Sequence, residues 1–313
     1  MLRIFTIILT LLTFCSCADD QLVIGIAWRD NVSGSSYIGT YNAIEAIGAK
    51  PVLLGQVRST NLRYSDSKID AAHLDENEIL LLDDAANIKL YTHSHSNAEE
   101  VMQNIDAVVF TGGEDISPTL FRNPEEWHGI EAEKDFNTTR DVSDYLLLSY
   151  CIDRDIPTLC ICRGAQMLGV VAGAPLIQDI PTYYTGLGID YNYIHRYNKS
   201  NPDAKKEYIS HQSVITRKNS LFYDIIKADT LHGCPSWHHQ AIGDLSNTSA
   251  VATATTTSQG VEIIEALEIP DKRFILGVQF HPEYVLAKED NEAKYMDRAT
   301  TLRIFEALAR AAK

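Results

Sequence analysis

Apolar runs of strand length alternate with stretches of helical spacing through the first half of the chain, and this alternation restricts the fold more than any other feature. Leu22 to Ala27 leads through a Gly/Ser-rich loop into a helical stretch from Tyr37 to Ile47, and Pro51 to Leu54 is a second short strand. Asp106 to Phe110 runs into Thr111-Gly112-Gly113. Arg140 to Ile152 has helical spacing, and Pro157 to Ile161 is followed by a helix from Gly164 to Ala172. Strands alternating with helices predict an α/β fold with a mostly parallel central sheet flanked by helices. In such sheets ligands meet the carboxyl ends of the strands. The later half adds a β-rich portion, with strand-like composition at Ser213 to Thr216, Ala250 to Thr255, Val261 to Glu268 and Phe274 to Phe280. A helical stretch from Asn291 to Ala312 is expected to pack on the outer face of the sheet. With no repeat and no linker, residues 18–313 are expected to form a single domain. Two stretches give weaker signals. Gln56 to Ala98 is expected to be an insertion forming part of a lid, and Tyr183 to Tyr208, which holds six tyrosines, a loop bordering a pocket.

Charge and cysteine usage narrow the setting. Lys and Arg number 27 against 42 Asp and Glu, a net charge of -15, and no basic stripe is present to neutralise a phosphate backbone, so nucleic acid is not an expected partner. Residues 1–17 differ from the rest. Arg3 precedes an apolar run from Ile4 to Phe14, shorter than the roughly 20 residues a spanning helix needs. The run ends at Cys15-Ser16-Cys17, which resembles a bacterial lipoprotein box. The expectation is a lipoprotein-type signal peptide with Cys17 as the lipidated first residue of the mature protein and Cys15 as the rival acceptor. A secretory signal cleaved without lipidation is the alternative. Ala18-Asp19-Asp20 then resembles the surface-export signal of some lipoproteins. On this reading the protein is exported, periplasmic or outer-membrane anchored or carried to the cell surface, and touches the membrane only through its N-terminal lipid. The other cysteines, Cys151, Cys160, Cys162 and Cys234, are too few for a disulfide framework and lack zinc-site spacing. No metal and no cofactor are expected.

Pro157-Thr-Leu-Cys-Ile-Cys162-Arg-Gly164 places a cysteine between a strand and a helix. A tight turn there projects a nucleophile from the sheet, and a helix N-terminus favours a thiolate. Gly164 supplies the small neighbour such a turn needs on one side, whereas Cys160 stands where glycine is usual on the other. Gly277-Val-Gln-Phe-His281-Pro-Glu283 delivers an imidazole and a carboxylate two residues apart. In an extended chain such residues face one side, so Glu283 is placed either to orient His281 or to flank it. Thr111-Gly112-Gly113-Glu114-Asp115 is a glycine turn at a strand end, with backbone N–H groups available to a developing oxyanion.

At these residues the chain resembles the class I glutamine amidotransferase-like family, and within it the γ-glutamyl-γ-aminobutyrate hydrolase group. The resemblance rests on Cys162-Arg-Gly-Ala-Gln166, His281-Pro-Glu283, Thr111-Gly-Gly-Glu-Asp115 with Pro118, Ala172 to Asp179, and His238-His239-Gln240-Ala241. Asp144 stands where the family pattern has glutamate. The resemblance implies a flavodoxin-like sheet and a cysteine hydrolase of small γ-glutamyl amides. Cys162, His281 and Glu283 would be catalytic, through a γ-glutamyl thioester, and the backbone N–H groups of Gly113 and Arg163 would hold the oxyanion. Gln166, His239, Gln240 and Asp115 are the candidates for binding the glutamyl head. The adjacent His238 and His239 are not expected to share a metal ion. Two other readings are an inactive lipid-anchored binding protein of this fold and the glutaminase subunit of an amidotransferase.

Overall fold

One strand-helix unit after another builds the parallel part of the sheet. Val23–Ile26 (β1) leads to Ser35–Ala46 (α1), which returns the chain to Lys50–Leu53 (β2) alongside β1. The chain then passes through a small hairpin, Tyr64–Ser65 (β3) with Lys68–Ile69 (β4), and two helices, Leu82–Tyr91 (α2) and Ala98–Val101 (α3). Ala107–Phe110 (β5), Thr138–Asp153 (α4), Thr158–Ile161 (β6) and Arg163–Ala172 (α5) follow. Every residue of β5 and β6 is buried, as strands covered on both faces must be. This computed structural model describes residues 21–205, 209–288 and 295–313. The expected signal segment with Cys15 and Cys17 lies outside the described residues, as does Tyr208. Among the described residues no helix is long and apolar enough to cross a membrane.

In the second half, Leu176–Ile177 (β7) and Ile180–Gly186 (α6) precede the loop that carries the tyrosines. Ser210–Ile215 (β8), Leu221–Ile226 (α7), Thr230–Pro235 (β9), Ala241–Ile242 (β10), Val251–Ser258 (β11), Val261–Glu268 (β12), Ile275–Val278 (β13) and Arg298–Ala311 (α8) complete the chain. The main sheet has nine strands in the order β2-β1-β5-β6-β13-β12-β11-β8-β9. Its first five are parallel, in the flavodoxin order, and the remaining pairings are antiparallel. The β-rich portion thus continues the same sheet, and about half of the pairings are antiparallel rather than few. β7 and β10 pair apart from it.

Local chemistry explains how the helices seat. Gly173, with φ +104°, caps α5 in the left-handed region where glycine carries no Cβ penalty. Gly164 lets α5 lie close on β5, since a Cβ there would sit 2.8 Å from both the Phe110 Cβ and its carbonyl oxygen. The side chains of Asn137 and Asp297 accept from the backbone N–H groups of Arg140 and Thr300, starting α4 and α8. The last helix begins at Arg298, later than the expected Asn291; residues 291–294 lie outside the described residues.

The stretch from Gln56 to Ala98 is not a lid. Val57, Leu62, Ile69, Leu80, Ala85 and Ile88 join the core cluster under α4 and α5. The Val57 and Ile69 N–H groups donate to Ser143 Oγ and Thr139 Oγ1 of α4, each at 3.0 Å. Its apolar residues are separated by turns, so no helical or strand period links them, yet each is anchored by tertiary contact.

Candidate active site

Four parallel strands deliver the site at their carboxyl ends. Arg29 follows β1, Gly112 and Gly113 follow β5, Cys162 follows β6 and His281 follows β13; all five line one cavity of about 250 Å³. Cys162 occupies the turn itself, with φ +53° and ψ -106°, a backbone conformation that costs a non-glycine residue roughly 1–3 kcal/mol. Its carbonyl accepts the first backbone bond of α5, from Gln166. The N–H of Arg163 therefore lies among the free donors of the helix's first turn.

His281 hydrogen-bonds Glu283 Oε1 through Nδ1 at 2.8 Å and shares the wall of the cavity with Cys162, which acts on the charge of its ring. The reason is not the one the sequence suggests. β13 ends at Val278, and Glu283 lies in a 3₁₀ turn, Pro282–Leu286, rather than on an extended strand. α1 packs on that turn, and Ser36 of α1 donates to Glu283 Oε1 at 2.8 Å while accepting the Gly112 N–H at 3.2 Å. Burial works against a charged His281 ring, but Cys162 and Glu283 outweigh it and push the pKa up to about 10. The charged ring therefore adds stability that is fully present below its ordinary pKa of 6.5 and is lost as the pH rises through about 10. Glu283→Gln removes one of the two raising partners. The His281 midpoint followed by NMR is expected to fall by more than about one unit, an effect of the size a close opposite charge produces.

Residues the motifs did not mark complete the walls. Trp237 stacks obliquely near His281, ring centres 5.1 Å apart, and Gln279 Nε2 lies 3.7 Å from Cys162 Sγ. Arg29, 7% exposed, donates to Thr111 Oγ1 at 2.9 Å, and its Nε has no partner. Behind the glycine turn, Arg140 donates to the carbonyls of Thr111 and Gly112 at 3.0 and 3.2 Å and to Glu114 Oε2 at 2.6 Å. A Cβ on Gly113 would collide with this guanidinium. Arg163 reaches back from the nucleophile turn to Asp141 and Asp144, and Asp144 also lies 3.5 Å from Arg140 Nε. Burial opposes charge on Arg163, yet Asp144, Asp141 and Glu114 hold it above the ordinary arginine range. Asp144, the departure from the expected glutamate, thus joins the two arginines that support the turns on either side of the cavity.

A family model described as Peptidase C26 matches residues 84–283. The chain belongs to the Peptidase C26 family. The protein NtpR of Enterococcus hirae is 30% identical over 214 residues, covering 68% of this chain and 82% of its own. The γ-glutamyl-γ-aminobutyrate hydrolase of Escherichia coli O157:H7 is 24% identical over 187 residues, covering 59% and 67%. The structure of PurLQS from Thermotoga maritima shares the fold, with TM-score 0.50, 12% identity and coverage of 94% of this chain and 99% of the matched one.

In this C26 protein Gln166, Asp115, His239 and Gln240 do not line the Cys162 cavity; they tie the 236–240 loop to the rest of the fold. Gln166 Nε2 donates to the Gln240 carbonyl at 2.8 Å, and Gln240 Oε1 accepts the Ile116 N–H at 3.1 Å. His239 bridges Asp115 at 2.7 Å and Asp179 at 3.2 Å. Burial opposes its charge, but the two carboxylates raise its pKa to about 9. His239 borders a separate cavity of about 350 Å³ with Tyr191, Tyr193 and Tyr197 of the tyrosine-bearing loop. Cys160 packs in the core cluster with Phe110 and Cys151, where burial pushes its thiol well above the ordinary range, while Cys162 adjoins the other cluster; both are free thiols.

Proposed function

We propose that this C26 protein hydrolyses γ-glutamyl amides with Cys162 as nucleophile, His281 as general acid and base, and Glu283 as the group that orients the imidazole. The observation that carries the reading is the strained Cys162 turn at the head of α5, facing an imidazole whose far side is fixed by a buried carboxylate. The similarity to a γ-glutamyl-γ-aminobutyrate hydrolase supports the bond class. The thiolate attacks the γ-carbonyl carbon, and the C=O electron pair moves to oxygen, where the N–H groups of Gly113 and Arg163 receive it; one such donor is worth about 3 kcal/mol of barrier. His281 passes its proton to the departing nitrogen as the C–N bond breaks, leaving a γ-glutamyl thioester. His281 then takes a proton from water, hydroxide attacks the thioester, and glutamate leaves as the thiolate returns.

The free α-carboxylate of the glutamyl head meets Arg29, the buried guanidinium on the cavity wall with an unpartnered Nε. A lost charge-assisted bond of about 1.5–3 kcal/mol corresponds to a roughly 10- to 150-fold rise in KM for Arg29→Met with little change in kcat. A substrate lacking the α-carboxylate should show no such difference between the two proteins, and an equal loss on both would remove Arg29 from substrate recognition. The overall proposal is tested by incubating the purified protein with a panel of γ-glutamyl amides, glutamine included. Release of glutamate, with a mass increase of one glutamyl group on Cys162 upon acid quench, is expected. No turnover of any member, and no adduct with a diazo-ketone glutamine analogue, would instead identify a binding protein.

A further inference from the structure

We infer that His195, His211, His238 and Glu265 form a buried transition-metal site of the Zn²⁺ type, which fastens the tyrosine-bearing loop to the antiparallel end of the sheet. His195 comes from that loop, His211 from β8, His238 from just beyond β9, and Glu265 from β12. The inference is independent of Cys162 chemistry and revises the sequence-based expectation that no metal is held.

Orphaned atoms point to the site. All four residues are buried, and His195 Nδ1 and Nε2, His211 Nε2, His238 Nε2 and both oxygens of Glu265 have no hydrogen-bond partner among the described residues. Each buried polar atom left unpaired costs about 1–3 kcal/mol, so a cluster of them at one point calls for an occupant. Among the described residues no lysine or arginine pairs with Glu265; its near neighbours are the three imidazoles and the Thr256 hydroxyl.

Distances and tautomers fit a cation. Glu265 Oε1 is 3.2 Å from His195 Nδ1, 3.4 Å from His211 Nε2 and 3.9 Å from His238 Nε2, and the four candidate atoms lie within 4.8 Å of one another. Ligands at about 2.0–2.1 Å from a tetrahedral zinc ion are separated by about 3.3 Å, so the contacts of Glu265 to His195 and His211 already match, and the widest pair closes by about 1.5 Å to complete the shell. The nitrogens are near the carboxylate without hydrogen-bonding it, the arrangement expected where lone pairs face a shared ion rather than a proton. His238 Nδ1 lies 2.8 Å from the Gln240 carbonyl and His211 Nδ1 3.2 Å from that of Gln212. A carbonyl only accepts, and the Thr256 hydroxyl, 3.1 Å from His211 Nδ1, gives its own hydrogen to the Gln212 carbonyl at 2.7 Å, so both Nδ1 atoms carry the hydrogen and both Nε2 lone pairs are left for a metal. Four protein ligands in a closed, buried set describe a structural site. The adjacent His238 and His239 part company here, one facing this cluster and the other Asp115 and Asp179.

The test uses the full chain purified without chelator and with any affinity tag removed. Elemental analysis is expected to find about one equivalent of transition metal per chain. Stripping it with dipicolinate should lower Tm by at least about 5 °C, and Zn²⁺ should restore it. Co²⁺ added to the stripped protein should give the intense visible absorption of a four-coordinate ion without a thiolate charge-transfer band, which separates this site from binding at Cys162. His211→Ala and Glu265→Gln should each lose that spectrum. Less than about a tenth of an equivalent, both as isolated and after incubation with Zn²⁺, overturns the proposal. So does a Co²⁺ spectrum that shows thiolate ligation or survives in His211→Ala. Should the variants fail to fold, the metal content and Co²⁺ spectrum of the unaltered protein decide.

Discussion

Cys162→Ala is expected to lower kcat on a γ-glutamyl amide by at least about four orders of magnitude, since removing the nucleophile leaves only binding and oxyanion contacts to act on the bond. The fold should stay intact. The side chain borders a cavity, so truncating it opens no sealed void, and alanine relieves none of the backbone strain at φ +53°. Circular dichroism and the thermal midpoint should therefore match those of the parent within about 2 °C, while single-turnover assays show no thioester. Activity retained above about one per cent would place the reaction elsewhere and end the proposed mechanism. Cys160→Ala is the natural comparison, because its thiol is sealed in the core and takes no part in the chemistry.

Arg163→Met carries the second large effect, on stability. It leaves the fully buried Asp141 without its guanidinium and the fully buried Asp144 with only its 3.5 Å contact to Arg140 Nε. Removing one partner of such a set costs about 3–5 kcal/mol, which urea unfolding should register as a lower midpoint at unchanged slope. The deficit should shrink as the pH falls, because the Asp141 carboxyl, which burial already holds above the ordinary carboxylate range, then takes up a proton and ceases to be a buried charge. Adding Asp141→Asn and Asp144→Asn to the same chain should recover part of the loss for the same reason. A deficit independent of pH and of the asparagines would mean that packing, rather than charge, explains it.

Much of the parallel half was legible because its strands are short apolar runs closed by glycine or a new helix, and burial on both faces leaves that mark on composition. Cys162, His281 and Glu283 were legible because each belongs to a compact local motif. Arg29, Ser36 and Trp237 were not, because they reach the cavity from segments far apart in the chain, and no spacing between them carries information. β9, Thr230–Pro235, is not among the expected strands and is held as one by its pairing with β8. Asp115, Gln166, His239 and Gln240 showed as a cluster of chemically able side chains. Sequence offered no way to tell that they bond to one another, to Ile116 and to Asp179 away from the lining of the Cys162 cavity.

The pairing of β6 with β13 has a consequence for how such proteins diversify. Ile161 and Val278 stand opposite each other in parallel register, so Cys162 and His281 are delivered by neighbouring strands whose alignment is fixed by the sheet. Everything between them, from α5 through the tyrosine-bearing loop to β12, is a single long detour that departs from one strand and returns to the next. Residues can be gained, lost or exchanged along much of that detour without changing the distance between sulfur and imidazole. The reacting pair and the surfaces that select its substrate are thereby open to change at different rates.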